Sequence, residues 1–258
     1  MVKGLYTAHT GLRNEQNRMD VMTNNLANVT TVGFKKEGTT SQAFSAVLAK
    51  KLKDASVGLR NEQAIGFNRP GVKIGENYID YTQGSFRITN NTFDLALSGD
   101  GFFALEFTNK AGETSTKYTR AGNFTLTNEG FLVNSDGDYV LDVNNRRIQL
   151  NPLMDAEIQE DGTINQNGVR VAQIQVVDFE DYDYLERYGE TYFQPIEGAR
   201  ITNSSAQVQS GILEMANVQI VSEMVNMISI TRQYESNQKI IQTYDRTLDT
   251  AVNDLGRL

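Results

Sequence analysis

Few side chains in this sequence could carry out chemistry. The chain has a single histidine, His9, and no cysteine, which excludes thiol catalysis, thiolate metal sites, disulfides and multi-histidine metal sites. A Ser-His-Asp triad would have to use His9 as its base. His9 lies in an Asn-rich segment, away from the stripe formed by Leu5 and Leu12, and a polar interface role is favoured there. We predict no catalytic, metal-binding or cofactor-binding residue.

Acidic clusters are the remaining candidates for chemistry. Asp136-Gly-Asp138 with Asp142 lacks the glycine at position six and the glutamate at position twelve of an EF-hand loop. Five acids lie within residues 178–186, where a solvated surface is the default and a calcium site is an open alternative. Ser98-Gly-Asp-Gly101 joins two predicted strands and precedes no helix, so we interpret it as a turn and not as a phosphate loop.

Composition describes an ordinary globular chain with an uneven charge. Apolar residues make up 39% and charged residues 22% of the chain. Its length of 258 residues allows one large or two modest domains. The net charge of −8 argues against nucleic-acid binding. Residues 1–80 carry a balance of +4, residues 81–200 one of −10 and residues 201–258 one of −2. No run of 18 apolar residues is present, and we predict no membrane insertion.

Apolar residues recur every seventh position near both ends, which is typical of coiled-coil helices. The first series, in a helix predicted near residues 3–29, is Leu5, Leu12, Met19 and Leu26. The second series, in a helix predicted over residues 210–256, is Ile220, Met227, Tyr234, Ile241, Leu248 and Leu255. An offset stripe in the second helix is Val218, Val221, Val225 and Ile228.

The two predicted helices differ in length. Helices of 27 and 45 residues would span about 40 Å and about 65–70 Å, so about 25 Å of the longer stripe would have no partner if the two paired. Exposed apolar seams of this kind are normally buried by other subunits. The equally weighted alternative, on periodicity alone, is that the long helix lies across the β domain and that its stripes are part of the core.

The middle of the chain is predicted to be β-rich. Alternating or β-branched segments favour one antiparallel barrel or sandwich over residues 81–200. Turn signals separate them: Asn128-Glu-Gly130, Ser135-Asp-Gly137, Asp161-Gly162 and Asn167-Gly168. The predicted strands cover residues 81–88, 94–97, 102–107, 117–120, 123–127, 130–133, 139–143, 146–150 and 169–177. For residues 35–80 we expect a short helix over 41–54 followed by a glycine-punctuated extended stretch.

Four motifs together resemble one family. Asn24-Asn-Leu-Ala-Asn-Val-Thr-Thr-Val-Gly-Phe-Lys35 is similar to the amino-terminal hallmark of bacterial flagellar rod and hook proteins. Phe93-Asp-Leu-Ala-Leu-Ser-Gly-Asp-Gly-Phe-Phe103 and Tyr118-Thr-Arg-Ala-Gly-Asn-Phe124 resemble their middle segments, and Ala216-Asn-Val-Gln-Ile-Val with Arg232-Gln-Tyr-Glu-Ser-Asn resembles their closing helix. Length and motif set look most like the distal-rod type. A proximal-rod or hook-type paralogue is the near alternative.

The resemblance implies an α+β fold in which the two terminal helices pair as a coiled coil that forms the inner tube of a filament, with an antiparallel all-β domain outside. The implied domains are residues 1–32, 33–80, 81–208 and 209–258. The two heptad series would then form the self-assembly seam. The implied function is that of a structural subunit of the basal-body rod that is needed for motility.

Further partners follow from the same resemblance. They are other copies of the chain in a helical homopolymer, neighbouring rod and hook proteins, and the flagellar type III export apparatus, which uses no cleaved signal peptide. The implied location is the basal body, outside the cytoplasmic membrane. Phe44-Ser-Ala-Val-Leu48 fits the family's loose export pattern, although Phe44 and Leu48 could equally be neighbours on a helix. A wall-acting enzyme or ligand-binding β domain carried on helical arms is the alternative function.

Overall fold

The computed structural model describes residues 2–51, 63–68, 71–110 and 112–255. The chain divides into two compact units. We call Met1–Leu26, Glu37–Asp80 and Gln219–Leu258 the terminal unit, and Ala27–Lys36 with Tyr81–Val218 the central unit. Each unit is therefore assembled from segments that are far apart in the sequence.

The terminal unit contains the two long helices, α1 (Val2–Ala27) and α2 (Ile220–Leu255). It also contains two antiparallel strand pairs. The strands are β1 (Glu37–Ala43), β2 (Val47–Lys51), β3 (Gln63–Asn68) and β4 (Val72–Ile79). β1 pairs with β4, and β2 pairs with β3.

The central unit is built from short antiparallel strands and one 3-10 turn. The first eight strands are β5 (Phe86–Ile88), β6 (Leu95–Ser98), β7 (Phe102–Thr108), β8 (Thr114–Thr119), β9 (Thr125–Leu126), β10 (Leu132–Val133), β11 (Tyr139–Val140) and β12 (Ala156–Ile158). The next four elements are β13 (Thr163–Gln166), β14 (Val169–Gln173), β15 (Val176–Phe179) and the 3-10 turn Tyr182–Tyr184. The last five strands are β16 (Leu185–Tyr188), β17 (Tyr192–Pro195), β18 (Ile201–Asn203), β19 (Gln207–Ser210) and β20 (Ile212–Glu214).

These strands form several sheets. The largest has nine strands in the order β16-β17-β8-β7-β11-β10-β9, and β15 joins it by pairing with both β7 and β18. β12, β13 and β14 form a three-stranded sheet, while β19 pairs with β6 and β20 pairs with β5. The last two pairings are long-range contacts: they bring residues just before α2 onto strands that lie more than a hundred positions earlier in the chain.

The core of the central unit is apolar and continuous. β7 contributes Phe103 and Leu105, which alternate along the strand as residues on one face of a sheet do. Phe103 packs edge-to-face on Phe124, with ring centroids 5.2 Å apart. The buried side chains of this cluster are Leu95, Leu97, Phe103, Leu105, Phe124, Leu132, Val140, Ile148, Leu150, Ile164, Ile174, Tyr192 and Val208.

The predicted α+β class is confirmed, with a helix near each end and an antiparallel β region between them. Three local predictions are wrong. The described part of 41–54 forms β1 and β2 and not a helix; residues 52–54 lie outside the described residues. Residues 212–214 form β20, so α2 begins about ten residues later than predicted. Arg146–Leu150 makes only single bridges, with Leu141 and Phe131.

The turns were predicted more accurately than the boundaries of the strands. Glycines at the predicted turns, including Gly130, Gly137 and Gly162, have positive φ angles, and Asn167 joins them with φ of 51°. Only glycine, and less readily asparagine, adopts this conformation without steric cost. The chain thus marks its reversals clearly, whereas the pairing of short strands depends on residues far away in the sequence.

Candidate assembly surface

α1 and α2 pack against each other in the terminal unit. A Cβ placed on Gly4 would collide with the ring of Tyr244, and one on Gly11 would lie 3.1 Å from Nδ2 of Asn237. Gly11 follows Gly4 by seven residues in α1, whereas its neighbour Asn237 precedes Tyr244 by seven residues in α2. The two helices therefore run antiparallel. The missing glycine side chains let the two backbones approach closely.

One stripe of α2 is covered and the neighbouring stripe is exposed. Ile230 is 1% exposed. From Glu223 to Tyr244 the more covered positions follow steps of three and four: Glu223, Met227, Ile230, Tyr234, Asn237, Ile241 and Tyr244. Thr231 and Ala251 are also half-buried. Steps of three and four are typical of the contact face of a coiled-coil helix. The adjacent apolar side chains are left outside, with Val221 77% and Val225 60% exposed.

We call Val221, Met224, Val225 and Ile228 the exposed stripe of α2. Each of these side chains is more than half exposed. A shallow groove of about 380 Å³ continues the stripe, lined by Val225, Ile228, Ser229, Arg232, Gln233 and Ser236. A row of large apolar side chains in water is costly, and such rows commonly mark interaction sites.

Seven of the ten predicted seam residues are half-buried, and we call them the border residues: Leu5, Leu12, Met19, Leu26, Met227, Tyr234 and Ile241. Ile220 and Leu248 are exposed, and the side chain of Leu255 lies outside the described residues. On α1 the companion positions Ala8 and Glu15 are buried. Within a single chain, the seam residues are therefore only partly covered.

Two asparagines of α1 hold strand β1, and sequence reasoning missed them. Asn25 is fully buried; its Nδ2 donates to the carbonyl of Glu37 over 2.8 Å, and its Oδ1 accepts from the Glu37 amide over 2.9 Å. Asn14 exchanges hydrogen bonds with the Ser41 hydroxyl at 3.0 and 3.1 Å. The Asn25 amide thus bonds the main chain of β1 as a neighbouring strand would, and these contacts account for two of the asparagines of α1. The Asn-rich composition was the available signal.

His9 is exposed on α1 and lines a cleft of about 300 Å³ with Arg13, Lys73 and Phe44. Phe44 stacks obliquely near Tyr6, with ring centroids 6.3 Å apart. Phe44 follows β1 and Leu48 lies within β2, so the interpretation of Phe44 and Leu48 as neighbours on a helix is wrong. The side chain of Leu48 lies outside the described residues.

The acidic cluster of residues 178–186 divides into separate local contacts. Asp178 accepts from the Tyr182 hydroxyl over 2.8 Å, Asp181 accepts from the Asp183 amide over 3.0 Å, and Glu180 faces Arg200 at 3.5 Å. Across the described ranges, no three Asp, Glu or His side chains are grouped as metal ligands. In the same ranges neither helix is long and apolar enough to cross a membrane.

Asp136 and Asp138 meet at a buried tyrosine. The hydroxyl of Tyr192 lies 2.6 Å from Asp138 Oδ2 and 2.8 Å from Asp136 Oδ2. Burial chiefly, and then the hydrogen bonds to the two carboxylates, raise the pKa of Tyr192 above its ordinary value. Asp142 lies elsewhere, where its Oδ1 accepts from the Gln173 amide over 2.9 Å. The three acids therefore stabilise loops at two places and do not form one site.

Comparison with known proteins identifies the family. Three family models match the chain: "Flagella basal body rod protein" at residues 5–35, "Flagellar hook protein FlgE/F/G D1 domain" at residues 96–169, and "Flagellar basal body rod FlgEFG protein C-terminal" at residues 209–255. The flagellar basal-body rod protein FlgG of Bacillus subtilis is 33% identical over 98% of this chain and 99% of its own length. The chain belongs to the flagellar basal-body rod protein family.

Other rod-family relatives match over the whole length as well. The rod protein FlgF of Caulobacter vibrioides is 32% identical, and the hook-basal body complex protein FlhO of Bacillus subtilis is 29% identical; each alignment covers all of both chains. The recognition made from the four sequence motifs is confirmed. The matched segments include both helices that carry the exposed and half-buried apolar residues.

Proposed function

We propose that this chain is a structural subunit of the flagellar basal-body rod, and that it polymerises through the exposed stripe of α2 and the border residues of both helices. The observation that carries the proposal is the exposed stripe itself. The fold of the single chain leaves these four apolar side chains exposed to water on one face of α2. In a polymer, a second copy of the chain would bury them.

The helix lengths support the same conclusion. α1 has 26 residues and α2 has 36, so at 1.5 Å per residue they span about 39 Å and about 54 Å. The unmatched length is about 15 Å, which is shorter than the sequence predicted because α2 begins later. Because Gly4 lies at Tyr244 and Gly11 at Asn237, this unmatched length falls at the end of α2, where Leu248 and Val252 are exposed. The exposed stripe lies in the first turns of α2, on a face that α1 leaves open, and residues 221–228 would contact other subunits there.

The role of the central unit in this proposal is mechanical. Its polar and acidic groups are used in hydrogen bonds that hold loops, as at Tyr192 and Asp178. We assign it no reaction, cofactor or metal, and a stiff rod needs repeated packing and not a reactive group. Neighbouring rod and hook proteins would contact the ends of the polymer. The half-buried seam residues would become fully buried in it.

Export through the flagellar type III apparatus is part of the same proposal. Phe44 lies after β1 beside the cleft that contains His9, and the Phe44–Leu48 pattern would act before folding, as an extended segment. Among paralogues we favour the distal-rod type, because the length and the motif set of the chain look most like that type. Replacement of Phe44 by alanine should reduce the secreted amount, and unchanged secretion would exclude the signal. Denaturant unfolding of the purified subunit measures separately the stability lost with the contact between Phe44 and Tyr6.

Polymerisation is the decisive test. We expect Val225→Asp to abolish sedimentable polymer and visible rods, because burial of an unpaired carboxylate in every subunit contact costs several kcal/mol. The matched control is Val169→Asp, at an apolar residue of the central unit that is 64% exposed. Normal rods with Val225→Asp would overturn the proposed face. Loss of rods with the control alone would place the assembly contact on the central unit.

A further inference from the structure

Three charged side chains from distant parts of the chain meet inside the central unit. Lys35 and Glu214 are each 1% exposed and Arg120 is 3% exposed. Lys35 Nζ lies 2.7 Å from Glu214 Oε1, and Arg120 Nη1 lies 3.4 Å from Glu214 Oε2. One carboxylate therefore faces two buried cations. Lys35 and Arg120 both lie in the motifs that resemble the flagellar family.

Main-chain hydrogen bonds join the same segments around this cluster. The carbonyl of Glu214 accepts from the Gly33 amide over 2.8 Å, and its Oε1 accepts from the Gly84 amide over 2.9 Å. The Met215 amide donates to the carbonyl of Ser85 over 2.9 Å. Hydrogen bonds thus join three segments around the single carboxylate of Glu214: residues 33–36, 82–85 and 212–217.

Lys35 and Asn217 form further hydrogen bonds among the same three segments. Lys35 Nζ donates to the Thr82 carbonyl over 2.8 Å, and the Lys36 amide donates to Asn217 Oδ1 over 2.7 Å. Asn217 Nδ2 in turn donates to the same Thr82 carbonyl over 3.1 Å. Each of the three segments therefore contacts both of the others through hydrogen bonds.

The charges make partial docking unfavourable. If residues 212–217 leave alone, the buried ion pairs of Glu214 with Lys35 and Arg120 break, together with the hydrogen bond from the Gly33 amide to the Glu214 carbonyl. Breaking a buried ion pair by removing one partner is strongly destabilising, because the other charge has already lost much of its hydration. The lower-energy response is for Lys35 to leave as well, which undocks residues 33–36.

We propose that Glu214 is a latch that couples the docking of residues 28–36 to the docking of residues 212–217, so that neither segment is stably held without the other. The latch joins the residues that follow α1 to the residues that precede α2. It goes beyond the proposed polymer, because it acts within one subunit and does not depend on the assembly face.

Native-state hydrogen exchange on the intact, monomeric subunit tests the latch. The best reporters are the amides of Thr31 and Phe34, since their acceptors, Asn28 and Thr31, lie in their own segment. Glu214→Gln should accelerate exchange at these two amides by about 100-fold or more, the equivalent of the loss of a buried ion pair. Exchange at Phe103 and Leu105 should change much less.

Reciprocity provides a second measurement. Because coupling between two sites is mutual, Lys35→Met should accelerate exchange in β20, at Leu213 and Glu214, by a similar factor. The control is Arg147→Ala, which removes an exposed ion pair with Glu106 in the same unit and should leave both segments unchanged. Faster exchange of β20 alone, with Thr31 and Phe34 still protected in Glu214→Gln, would refute the latch.

The wild-type protein provides a test that needs no variant. At increasing denaturant below the unfolding transition, the amides of Thr31, Phe34 and Leu213 should converge on one opening equilibrium if the latch couples them. Two separate opening equilibria would overturn the proposal even if Glu214→Gln failed to fold. Loss of polymerisation has no bearing on this outcome, so the latch and the proposed function can fail independently.

Discussion

The two units of the chain bury very different amounts of apolar surface. The central unit encloses a continuous cluster that includes Phe103, Phe124 and Ile164, each with no exposed surface. In the terminal unit, the buried apolar side chains among the described residues are Ala8, Val21 and Ile230. One unit completes its core within the chain. The other presents two long helices whose apolar residues are mostly at the border of solvent.

The difference explains how one short chain can serve both as a folded module and as a building block. A helix gains most of its stability from packing of its apolar face and little from propensity alone. α1 and α2 pack on each other through glycines and polar residues, such as Gly11 with Asn237, and leave larger side chains available. Stability of the terminal unit should therefore rise on assembly, while that of the central unit should not.

Phe103→Ala should cause the largest loss of stability in the isolated subunit. Removal of a fully buried ring leaves a cavity and should cost about 3–5 kcal/mol of unfolding free energy. Val225→Ala, in the exposed stripe, should cost less than about 0.5 kcal/mol. Denaturant unfolding of the monomer, followed by circular dichroism, measures both. Equal losses would mean that the terminal unit has a core as complete as that of the central unit.

Asn25→Ala should have the next largest effect and should act on the terminal unit. The change removes two hydrogen bonds and leaves the amide and carbonyl of Glu37 without their buried partner, at a cost of about 1–3 kcal/mol. Hydrogen exchange of the Glu37 amide should increase in step. Gln16→Ala, at an exposed position of the same helix, is the matched control and should change neither quantity. An unchanged Glu37 amide would exclude the role assigned to Asn25.

The sequence predicted the helices, the turns and the family, because these depend on local patterns. Leu5 and Leu12 correctly indicated a helix, and Gly137 and Gly168 correctly indicated turns. The covered face of α1 was harder to predict, since it is set by close approach at Gly4 and Gly11, and a glycine carries no hydrophobic signal. Strand β20 was missed because Leu213 pairs with Arg87, far away in the sequence.

The assembly surface was predictable only in part, because only some of its features depend on local sequence patterns. The offset stripe of Val218, Val221, Val225 and Ile228 was visible in the sequence. Val218 is buried and precedes α2, and the exposure of the other three follows from which face of α2 is covered by α1. Lys35, Arg120 and Glu214 are charged residues that local reasoning places on the surface. Their burial becomes evident only when three distant segments converge, so no local pattern could have indicated the latch.

Alkaline pH should test the buried tyrosines of the central unit. Burial chiefly raises the pKa of Tyr81 to about 12, and the pKa of Tyr192 is raised in the same direction. Above the ordinary tyrosine pKa near 10, the unfolded state therefore loses phenolic protons that the folded state retains. Stability should be full below pH 10 and should fall as the pH rises through the folded-state values.

Tyr192→Phe identifies one contributor to this alkaline loss. The variant should lose about 1 kcal/mol at neutral pH, because the carboxylate of Asp138 loses its donor. Its stability should then decline less steeply than that of the wild type above pH 10. Urea unfolding at several pH values, with tyrosinate absorbance recorded in parallel, measures both changes. Parallel curves for the two proteins would show that Tyr192 does not contribute to the alkaline transition.

Arg147→Ala should have the smallest effect, since the ion pair with Glu106 lies at the surface of the central unit. Arg147 Nη2 lies 2.6 Å from Glu106 Oε1, and this hydrogen bond holds the pKa of Glu106 below its ordinary value. Exposed ion pairs stabilise by only about 0–1 kcal/mol, and salt screens them. A lowered folded-state pKa means that the contribution is present at neutral pH and is lost as the pH falls below about 4. The wild type and the variant should therefore differ slightly at pH 7 in low salt and should coincide at high salt or at a pH below the folded-state pKa of Glu106. A difference that persists at high salt would show that Arg147 acts through packing on Tyr139, whose ring lies 4.2 Å from the guanidinium carbon, and not through charge.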